Sequence, residues 1–253
     1  MKIILNRKDV CEGDLILVNA AHACRGRGAA MLAPLKGEDD MLLQRRAGNF
    51  LSQLMEAVEG EQDITVVSAW RSQKEQQLLW EESLKEHGAA FTEQYVALPG
   101  HSEHQTGLAI DLGRKEDPIN LIRPDFPYEG RCQQLREHAP EYGFIERYPA
   151  GKEAVTGIAH EPWHFRYVGV PHAGLMQEKG LTLEEYTDWI KQFAHGKNPY
   201  EIHQKHQSIQ ISYLPAEQVD QREITVDAPY SVSGNNVDGF VITQWKRTET
   251  DAG

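Results

Sequence analysis

A histidine and an aspartate lie seven residues apart in the stretch SEHQTGLAID, which spans residues 102–111. His104 opens the pair, Asp111 closes it, and residues 107–110 between them are small or apolar. A short apolar run of this kind is consistent with a buried strand. Taken alone, such a pair is more often a surface histidine and an aspartate at a strand end, so its chemistry depends on other residues.

A second titratable pair lies in the aromatic stretch EPWHFRY, residues 161–167, where Glu161 precedes His164 by three positions. Polar side chains on such a stretch are costly to bury unless they are paired or bind a ligand. His104, Asp111 and His164 together supply two imidazoles and one carboxylate, the ligand set of a catalytic zinc site with one open position. Zinc lowers the pKa of water to about 7, so hydroxide is available at neutral pH. Glu161 is then the natural general base.

The spacing of Glu161 and His164 predicts an irregular strand. In an ideal strand, positions 161 and 164 face opposite sides of the sheet. We therefore expect a turn or bulge near Pro162 that brings both side chains to the metal. Two further histidines, His160 and His172, flank this motif and are expected to lie on the surface.

The stretch SAWRSQKEQ, residues 68–76, supplies a third element. Arg71 follows a predicted buried strand and precedes Ser72, which begins a capping-box pattern and hence a helix. An exposed surface arginine is the simpler explanation. In the functional interpretation, the guanidinium binds a substrate carboxylate or stabilises a developing oxyanion. Gln76, on the first turn of the helix, then hydrogen-bonds the same substrate.

Hydrophobic periodicity predicts the elements that position these residues. We expect helices at 39–59, 72–87, about 129–139 and from 182, and strands at 15–18, 64–69, 107–112, 154–159, 163–168, 209–213, 224–226 and 240–243. Helices and short strands that do not alternate strictly predict an α+β fold. Because half-buried strands dominate only after Gly196, we divide the chain into a main domain, residues 1–196, and a small β-rich C-terminal appendage, residues 197–253.

The composition restricts the class of partner. The 253-residue chain has a net charge of −12 with neutral histidines, which argues against nucleic acid because phosphate binding needs a basic face. No apolar run approaches transmembrane length and the N-terminal one is too short for a signal peptide, so we expect a cytoplasmic protein without an integral membrane segment. Cys11, Cys24 and Cys132 are too widely spaced for a disulfide framework or a metal clip. The oligomeric state is left open.

Together the three segments resemble the zinc D,D-peptidases of the VanY, VanX and VanXY group, the LAS-type metallopeptidases. The family pattern SxHxxGxAxD is matched by Ser102, His104, Gly107, Ala109 and Asp111. The pattern ExxH followed by aromatics is matched by Glu161, Trp163, His164, Phe165 and Tyr167, and the arginine motif by Arg71 in a Trp-Arg-Ser context. The similarity runs from about Leu15 to Phe193 and is closest to the VanY/VanXY branch.

The resemblance implies a fold and a metal. The fold is a small α+β domain with a central antiparallel sheet flanked by helices and a zinc site on the sheet, so residues 1–196 become the catalytic domain. Zinc is bound by His104, Asp111 and His164. Glu161 activates the water as base and then protonates the leaving amine.

The resemblance also implies a substrate. Arg71 stabilises the oxyanion of the scissile carbonyl or holds the substrate, and Gln76 and Ser102 contact its C-terminal D-alanine. The family substrate is a D-Ala-D-Ala terminus, either of the free dipeptide or of a peptidoglycan-precursor pentapeptide. The first interpretation is therefore a carboxypeptidase that removes the terminal D-alanine of precursor peptides.

Other interpretations are left open by the sequence. A dipeptidase for free D-Ala-D-Ala or a wall endopeptidase of the same fold differs in whether the pocket admits a chain on the N-terminal side of the scissile bond. A non-catalytic module that only recognises cell-wall peptides is disfavoured, because the chain retains both Glu161 and Arg71. The native metal can also differ from zinc, since the order of affinities does not fix occupancy in cells.

Overall fold

The computed structural model describes residues 2–26, 31–219 and 223–247. Backbone contacts divide the chain into two compact units. The larger unit is Val18–Glu184, and the smaller unit combines Met1–Leu17 with Glu185–Gly253.

This division differs from the predicted boundary after Gly196, because residues 1–17 and 185–196 group with the C-terminal strands. The N-terminal segment joins that unit through strand pairing: Ile3 lies opposite Ile224 in an antiparallel ladder. Hydrophobic periodicity is a local property, so it does not reveal that an N-terminal strand completes a C-terminal unit.

Short helices and strands make up the described residues, in the mixture that the sequence predicts. The helices are α1 (Arg45–Ala57), α2 (Gln73–His87), α3 (Ala89–Tyr95), α4 (Gly130–His138), α5 (Glu153–Thr156), α6 (His172–Lys179) and α7 (Leu183–Trp189). The strands are β1 (Lys2–Ile4), β2 (Leu32–Leu35), β3 (Glu38–Gln44), β4 (Ile64–Ser68), β5 (Ala109–Arg114), β6 (Phe144–Tyr148), β7 (Glu161–Tyr167), β8 (Tyr200–Gln204), β9 (Gln207–Pro215), β10 (Glu223–Thr225), β11 (Tyr230–Gly234) and β12 (Gly239–Arg247). None of the helices within the described ranges is long and apolar enough to cross a lipid bilayer.

The larger unit is built on a sheet with the strand order β4-β5-β7-β6, in which all neighbours are antiparallel. Ile110 on β5 and Phe165 on β7 are fully buried, and Phe165 packs edge to face against Phe126 with ring centroids 5.4 Å apart. Burial of each such side chain stabilises the fold by about 1.5–3 kcal/mol. The predicted central antiparallel sheet is confirmed, and it places Asp111 directly opposite His164.

The predicted helix at 39–59 is correct only from Arg45 onward. Residues 38–44 instead form β3, which pairs with β2. Gly37 closes this hairpin with a φ of +84°, a left-handed conformation that glycine adopts without a steric penalty. Residues 38–44 therefore pair with β2 as a strand, and α1 begins after them, at Arg45. The helix buries Ala47, Leu51 and Leu54.

The predicted strand at 154–159 is wrong. Residues 153–156 form the helical turn α5, and Gly157 ends it with a φ of +75°. The strand that pairs with β7 at one edge of the sheet is instead β6, which contains the fully buried Arg147. Residues 154–159 have the apolar spacing of a strand without forming one. The charged Arg147 makes β6 less hydrophobic than a buried strand is expected to be, so hydrophobicity did not predict it.

The smaller unit contains a sheet of order β11-β12-β9-β8 and the separate pair β1-β10. Its buried cluster consists of Ile3, Ile224, Val226 and Ile242. The predicted strands at 209–213 and 240–243 are confirmed as parts of β9 and β12, and the one at 224–226 overlaps β10. The predicted strand at 15–18 is wrong: these residues are buried but form no regular ladder.

Candidate active site

The three predicted ligands come together where β5 and β7 pair. Nδ1 of His164 is 2.9 Å from Oδ1 of Asp111. His104 enters from the 3-10 helical turn Glu103–Thr106, and its Nε2 is 3.2 Å from Oδ2 of Asp111. One candidate ligand atom from each residue lies within 4.8 Å of the other two. All three side chains are buried. The paired strands β5 and β7 position Asp111 and His164, and the turn Glu103–Thr106 positions His104.

Gly107 lets the turn that carries His104 lead directly into β5. It has a φ of +69°, and a Cβ at this position would lie 2.6 Å from Cδ2 of Leu32. A larger residue would therefore strain the backbone and displace the leucine. The turn is tied to β3 by Gln44, whose backbone N–H donates to the carbonyl of Gly107 at 2.8 Å and whose side chain donates to that of Thr106 at 2.9 Å.

The second nitrogen of each imidazole faces an oxygen atom. Nδ1 of His104 is 2.6 Å from the carbonyl of Ala69, which can only accept, so Nδ1 carries the proton and Nε2 presents a lone pair to the site. Burial lowers the pKa of His104, which favours this neutral form. His164 has the reverse arrangement, with Nδ1 toward Asp111 and Nε2 3.5 Å from Oε2 of Glu103. Outer acceptors of this kind orient metal-binding imidazoles.

The charges of the site suit a cation. Burial alone would raise the pKa of Asp111, but the imidazoles of His104 and His164 hold it well below its ordinary range. Burial lowers the pKa of His164, whereas the carboxylates of Asp111, Glu103 and Glu161 raise it to about 9. The same negative field favours a metal ion among the three ligands. Two imidazole nitrogens and one carboxylate oxygen fit zinc and leave a coordination position for water or substrate.

Glu161 lies beside the ligands but outside their cluster, with Oε2 3.9 Å from Nδ1 of His164. The β6–β7 register shifts between Glu146 and Tyr148, which confirms the irregularity predicted near Pro162. A bulge of this kind re-aims side chains along the strand. Burial raises the pKa of Glu161 to about 8. A carboxyl group with a pKa near neutrality can both accept and return a proton, as a general base and acid must.

Arg71 lines the site from the loop that precedes α2. Its Nη1 donates to Oε1 of Gln76 at 2.8 Å and its Nη2 to Oγ of Ser68 at 2.6 Å. The amide of Gln76 is itself fixed, because Nε2 donates to the carbonyl of Ala97 at 2.7 Å. Burial lowers the pKa of Arg71, and the negative charge of Asp111 opposes this effect. Since a guanidinium stays protonated in proteins, Arg71 supplies a positioned positive charge.

A cleft of about 490 Å³ connects these groups, a volume that suits a small ligand or the end of a peptide. All seven predicted site residues line it: Arg71, Gln76, Ser102, His104, Asp111, Glu161 and His164. Apolar side chains complete its wall, among them Leu79, Ile158 and Trp163. The cleft therefore combines positioned polar groups with apolar surface.

A cluster of buried charges lies next to the site and was not predicted from the sequence. Oε1 of Glu103 accepts hydrogen bonds of 2.8 Å from Nε of Arg147 and from Nη1 of Arg166, and none of the three side chains is exposed. Burial alone would raise the pKa of Glu103, but the two guanidinium groups hold it below its ordinary range. Two bonds of 2.8 and 2.7 Å join Arg147 to Glu184. Arg166 in the aromatic stretch EPWHFRY was the available sign of this cluster, because an arginine that is buried needs a charged partner.

The chain is similar to proteins that are named for action on D-Ala-D-Ala. A family model described as VanY: D-alanyl-D-alanine carboxypeptidase matches residues 40–170, which include Arg71, Glu161 and the three candidate ligands. The chain is 47% identical over 163 residues to the bifunctional D-Ala-D-Ala dipeptidase and D-Ala-D-Ala carboxypeptidase VanXYC of Enterococcus gallinarum. This match covers 64% of the chain and 85% of VanXYC.

Solved structures of related peptidases are also similar to this chain. The vancomycin resistance D,D-dipeptidase VanXYg, crystallised with a D-Ala-D-Ala phosphinate analog, matches with a TM-score of 0.93 and 45% identity over 97% of this chain and 99% of that one. A mutant of the vancomycin resistance D,D-pentapeptidase VanY from a VanB-type resistance cassette, in complex with Zn(II), matches with a TM-score of 0.57 and 32% identity over 70% and 99% of the two chains. The family match spans more than half of the sequence. Its motifs, its fold and its relatives show that the chain belongs to the VanY family of D-alanyl-D-alanine carboxypeptidases.

Proposed function

We propose that this protein is a zinc-dependent D-alanyl-D-alanine carboxypeptidase that removes the terminal D-alanine from peptidoglycan precursor peptides. The observation that carries the proposal is the convergence of the ligand cluster His104, Asp111 and His164 with Glu161 and Arg71 in one cleft. Relatives that are named for action on D-Ala-D-Ala support the choice of substrate.

The three ligands would hold zinc through Nε2 of His104, the carboxylate of Asp111 and Nδ1 of His164. The proton on Nδ1 of His104 and the charge on Asp111 support this assignment, because zinc binds neutral imidazole and ionised carboxylate. Zinc supplies Lewis-acid chemistry: it polarises a carbonyl group and lowers the pKa of water to about 7.

Glu161 accepts the proton that water releases as it attacks the scissile carbonyl, and then delivers a proton to the leaving amine of D-alanine. Its buried position beside His164 keeps the proton within the site between the two steps. A general acid–base group of this kind contributes about 10²- to 10⁴-fold to the rate.

Arg71 binds the negative charge of the substrate, either on the C-terminal carboxylate or on the carbonyl oxygen as the tetrahedral intermediate forms. Its bonds to Gln76 and Ser68 fix the guanidinium before the substrate arrives. We assign contacts with the C-terminal D-alanine to Gln76 and Ser102, because both line the same cleft as the ligands.

A second activity, hydrolysis of the free dipeptide D-Ala-D-Ala, is favoured by the similarity to a bifunctional relative. A wall endopeptidase would have to accept chain on both sides of the scissile bond. A module that only bound cell-wall peptides would have no use for a base such as Glu161 beside the ligand cluster. We therefore place the carboxypeptidase first and the dipeptidase second.

The test is hydrolysis of three substrates by the zinc-loaded protein. Release of D-alanine is measured with D-Ala-D-Ala and with the UDP-linked pentapeptide that ends in D-Ala-D-Ala, and release of D-lactate is measured with the depsipeptide that ends in D-lactate. The pentapeptide with a terminal L-alanine is the matched control. We expect D-alanine release from the pentapeptide that ends in D-Ala-D-Ala and no alanine release from the control pentapeptide. Activity on none of the three would refute the proposal, and activity on the dipeptide alone would reverse the order of the two candidates.

A further inference from the structure

Glu103 connects the candidate metal site to a network of buried charges. Its Oε1 accepts hydrogen bonds from Arg147 and Arg166, both 2.8 Å long. Arg147 continues the network to Glu184, whose Oε1 also accepts a bond of 3.1 Å from Asn19. Two carboxylates therefore face two guanidinium groups, and the carboxylate of Glu103 is held in one orientation.

That orientation leaves two polar atoms facing each other. Oε2 of Glu103 and Nε2 of His164 are both buried, and neither has a hydrogen-bond partner at normal length among the described residues. They lie 3.5 Å apart. A buried carboxylate oxygen or ring nitrogen without a hydrogen bond destabilises the fold. A hydrogen bond from Nε2–H to the carboxylate would provide a partner for both atoms.

We propose that Glu103 is a positioning residue for the metal site: its carboxylate accepts the Nε2–H of His164 and so fixes the ring with Nδ1 directed at the metal. The inference rests on the proposed zinc site. The side of the imidazole that faces Asp111 is Nδ1, at 2.9 Å. An acceptor at Nε2 keeps the proton on that nitrogen and leaves the lone pair of Nδ1 available as a ligand.

The two arginines make the role specific to a carboxylate. Their donors occupy Oε1, so an amide in place of the carboxylate would turn its oxygen toward them and its NH₂ group toward Nε2 of His164. A donor would then face a donor. Glu103→Gln thus keeps the shape of the side chain and reverses the hydrogen bond to the ring.

Glu184→Gln is the matched control. Glu184 also pairs with Arg147 and its loss removes the same charge from the same network, but its side chain bonds to Arg147 and Asn19 rather than to His164. The measurement is the zinc affinity of the metal-free proteins by competition with a chromophoric chelator. We expect Glu103→Gln to weaken zinc binding by about 10- to 100-fold, the usual effect of removing such an outer partner. Glu184→Gln should stay within about threefold of the unmodified protein.

Equal affinities of the two variants, or an affinity of Glu103→Gln unchanged from the unmodified protein, would overturn the inference. Failure of the unmodified protein itself to bind zinc would instead refute the proposed function. If Glu103→Gln does not fold, ¹⁵N NMR of the unmodified zinc-loaded protein decides: the Nε2–H of His164 should be shifted downfield and exchange slowly with water. An Nε2–H that exchanges as quickly as that of an exposed histidine would show that Glu103 does not hold it.

Discussion

Nη1 of Arg71 donates a hydrogen bond of 2.8 Å to Oε1 of Gln76, and this bond ties the guanidinium to the first turn of α2. Gln76 in turn donates to the carbonyl of Ala97, just beyond α3. The direction of the positive charge is therefore fixed by two elements of the fold. A donor that is already aligned with the developing charge contributes more to catalysis than one that must reorganise.

Arg71→Lys should reduce kcat/KM by about 10²- to 10³-fold, because a lysine has one charged nitrogen in place of the planar group whose separate nitrogens bond to Gln76 and Ser68. The zinc content should not change, since Arg71 is not in the ligand cluster. Steady-state kinetics and metal analysis test both points. Arg131→Lys, the same exchange on α4, is the control; equal activity of the two variants would contradict the assigned role.

Glu161→Gln should bind one zinc ion per chain and lose turnover by about 10²- to 10⁴-fold, because an amide can neither accept nor return the proton. The exposed Glu153 in the neighbouring turn α5 offers a control, Glu153→Gln, which should keep its activity. The assignment of the base would be wrong if Glu161→Gln turned over substrate at a near-normal rate.

Removal of zinc by a chelator should abolish D-alanine release without unfolding the protein. Asp111 and His164 lie on paired strands whose backbone hydrogen bonds do not need the metal. Circular dichroism should therefore be unchanged, and activity should return when zinc is added. Zinc at 100 times its dissociation constant should stabilise the fold by about 2.7 kcal/mol, visible as a rise in Tm. Loss of the secondary structure on chelation would show that the ligands are not pre-arranged. His104→Ala should likewise stay folded but bind zinc weakly.

Arg136→Ala should lower kcat by up to about 100-fold through misplacement of Glu161. Nη2 of Arg136 donates to the carbonyls of Phe126 and Pro162, each at 3.1 Å, and so fastens the irregular part of β7 to the segment before α4. Arg131→Ala, on the same helix, is the control for loss of an arginine. A change confined to the free energy of unfolding, with kcat intact, would show that the contact is only structural.

His172 should make the stability depend on pH. Burial lowers its pKa from 6.5 to about 3, with a smaller contribution from the charge of Arg46. The unfolded chain therefore binds a proton first as the pH falls below about 6.5, and the free energy of unfolding decreases by about 1.4 kcal/mol per pH unit until about pH 3. Above pH 6.5 this contribution is constant.

Urea unfolding at pH 7.5 and 5.5 measures the effect, in the presence of a chelator so that metal binding does not contribute. His172→Gln should show a smaller loss of stability between the two pH values than the unmodified protein. The exposed His138 offers the control His138→Gln, which should leave the difference unchanged. An identical pH dependence of all three proteins would contradict the prediction.

Much of the site could be predicted because its chemistry is carried by short, local patterns. The turn and strand that hold His104 and Asp111 are contiguous in the sequence, and Ser72 forms the predicted capping box with Glu75 at the start of α2. The helices α2 and α4 were predicted within one or two residues of their ends. In these segments the local preference and the final structure agree.

The rest depended on contacts between distant segments. Glu103 is separated from Arg147 by 44 positions and from Arg166 by 63, so no local pattern indicates that these charges neutralise one another in the interior. His172 was expected on the surface, yet only 5% of it is exposed. Burial of a polar side chain is decided by which elements pack around it, and the sequence predicts that packing poorly when several turns intervene.

The pairing of β5 with β7 affects which parts of the sequence can vary in length without moving the candidate ligands. Asp111 and His164 are neighbours across a ladder, although residues 112–163 separate them along the chain. Ile122, Tyr148 and Ile158 belong to that intervening segment and form part of the cleft wall. Insertions or deletions there can reshape the entrance while the backbone keeps the ligand atoms at the same separation. Asp111 and His164 are thus held by the ladder while loops between them can change in length, provided that Glu161 near the end of this segment keeps its place beside His164.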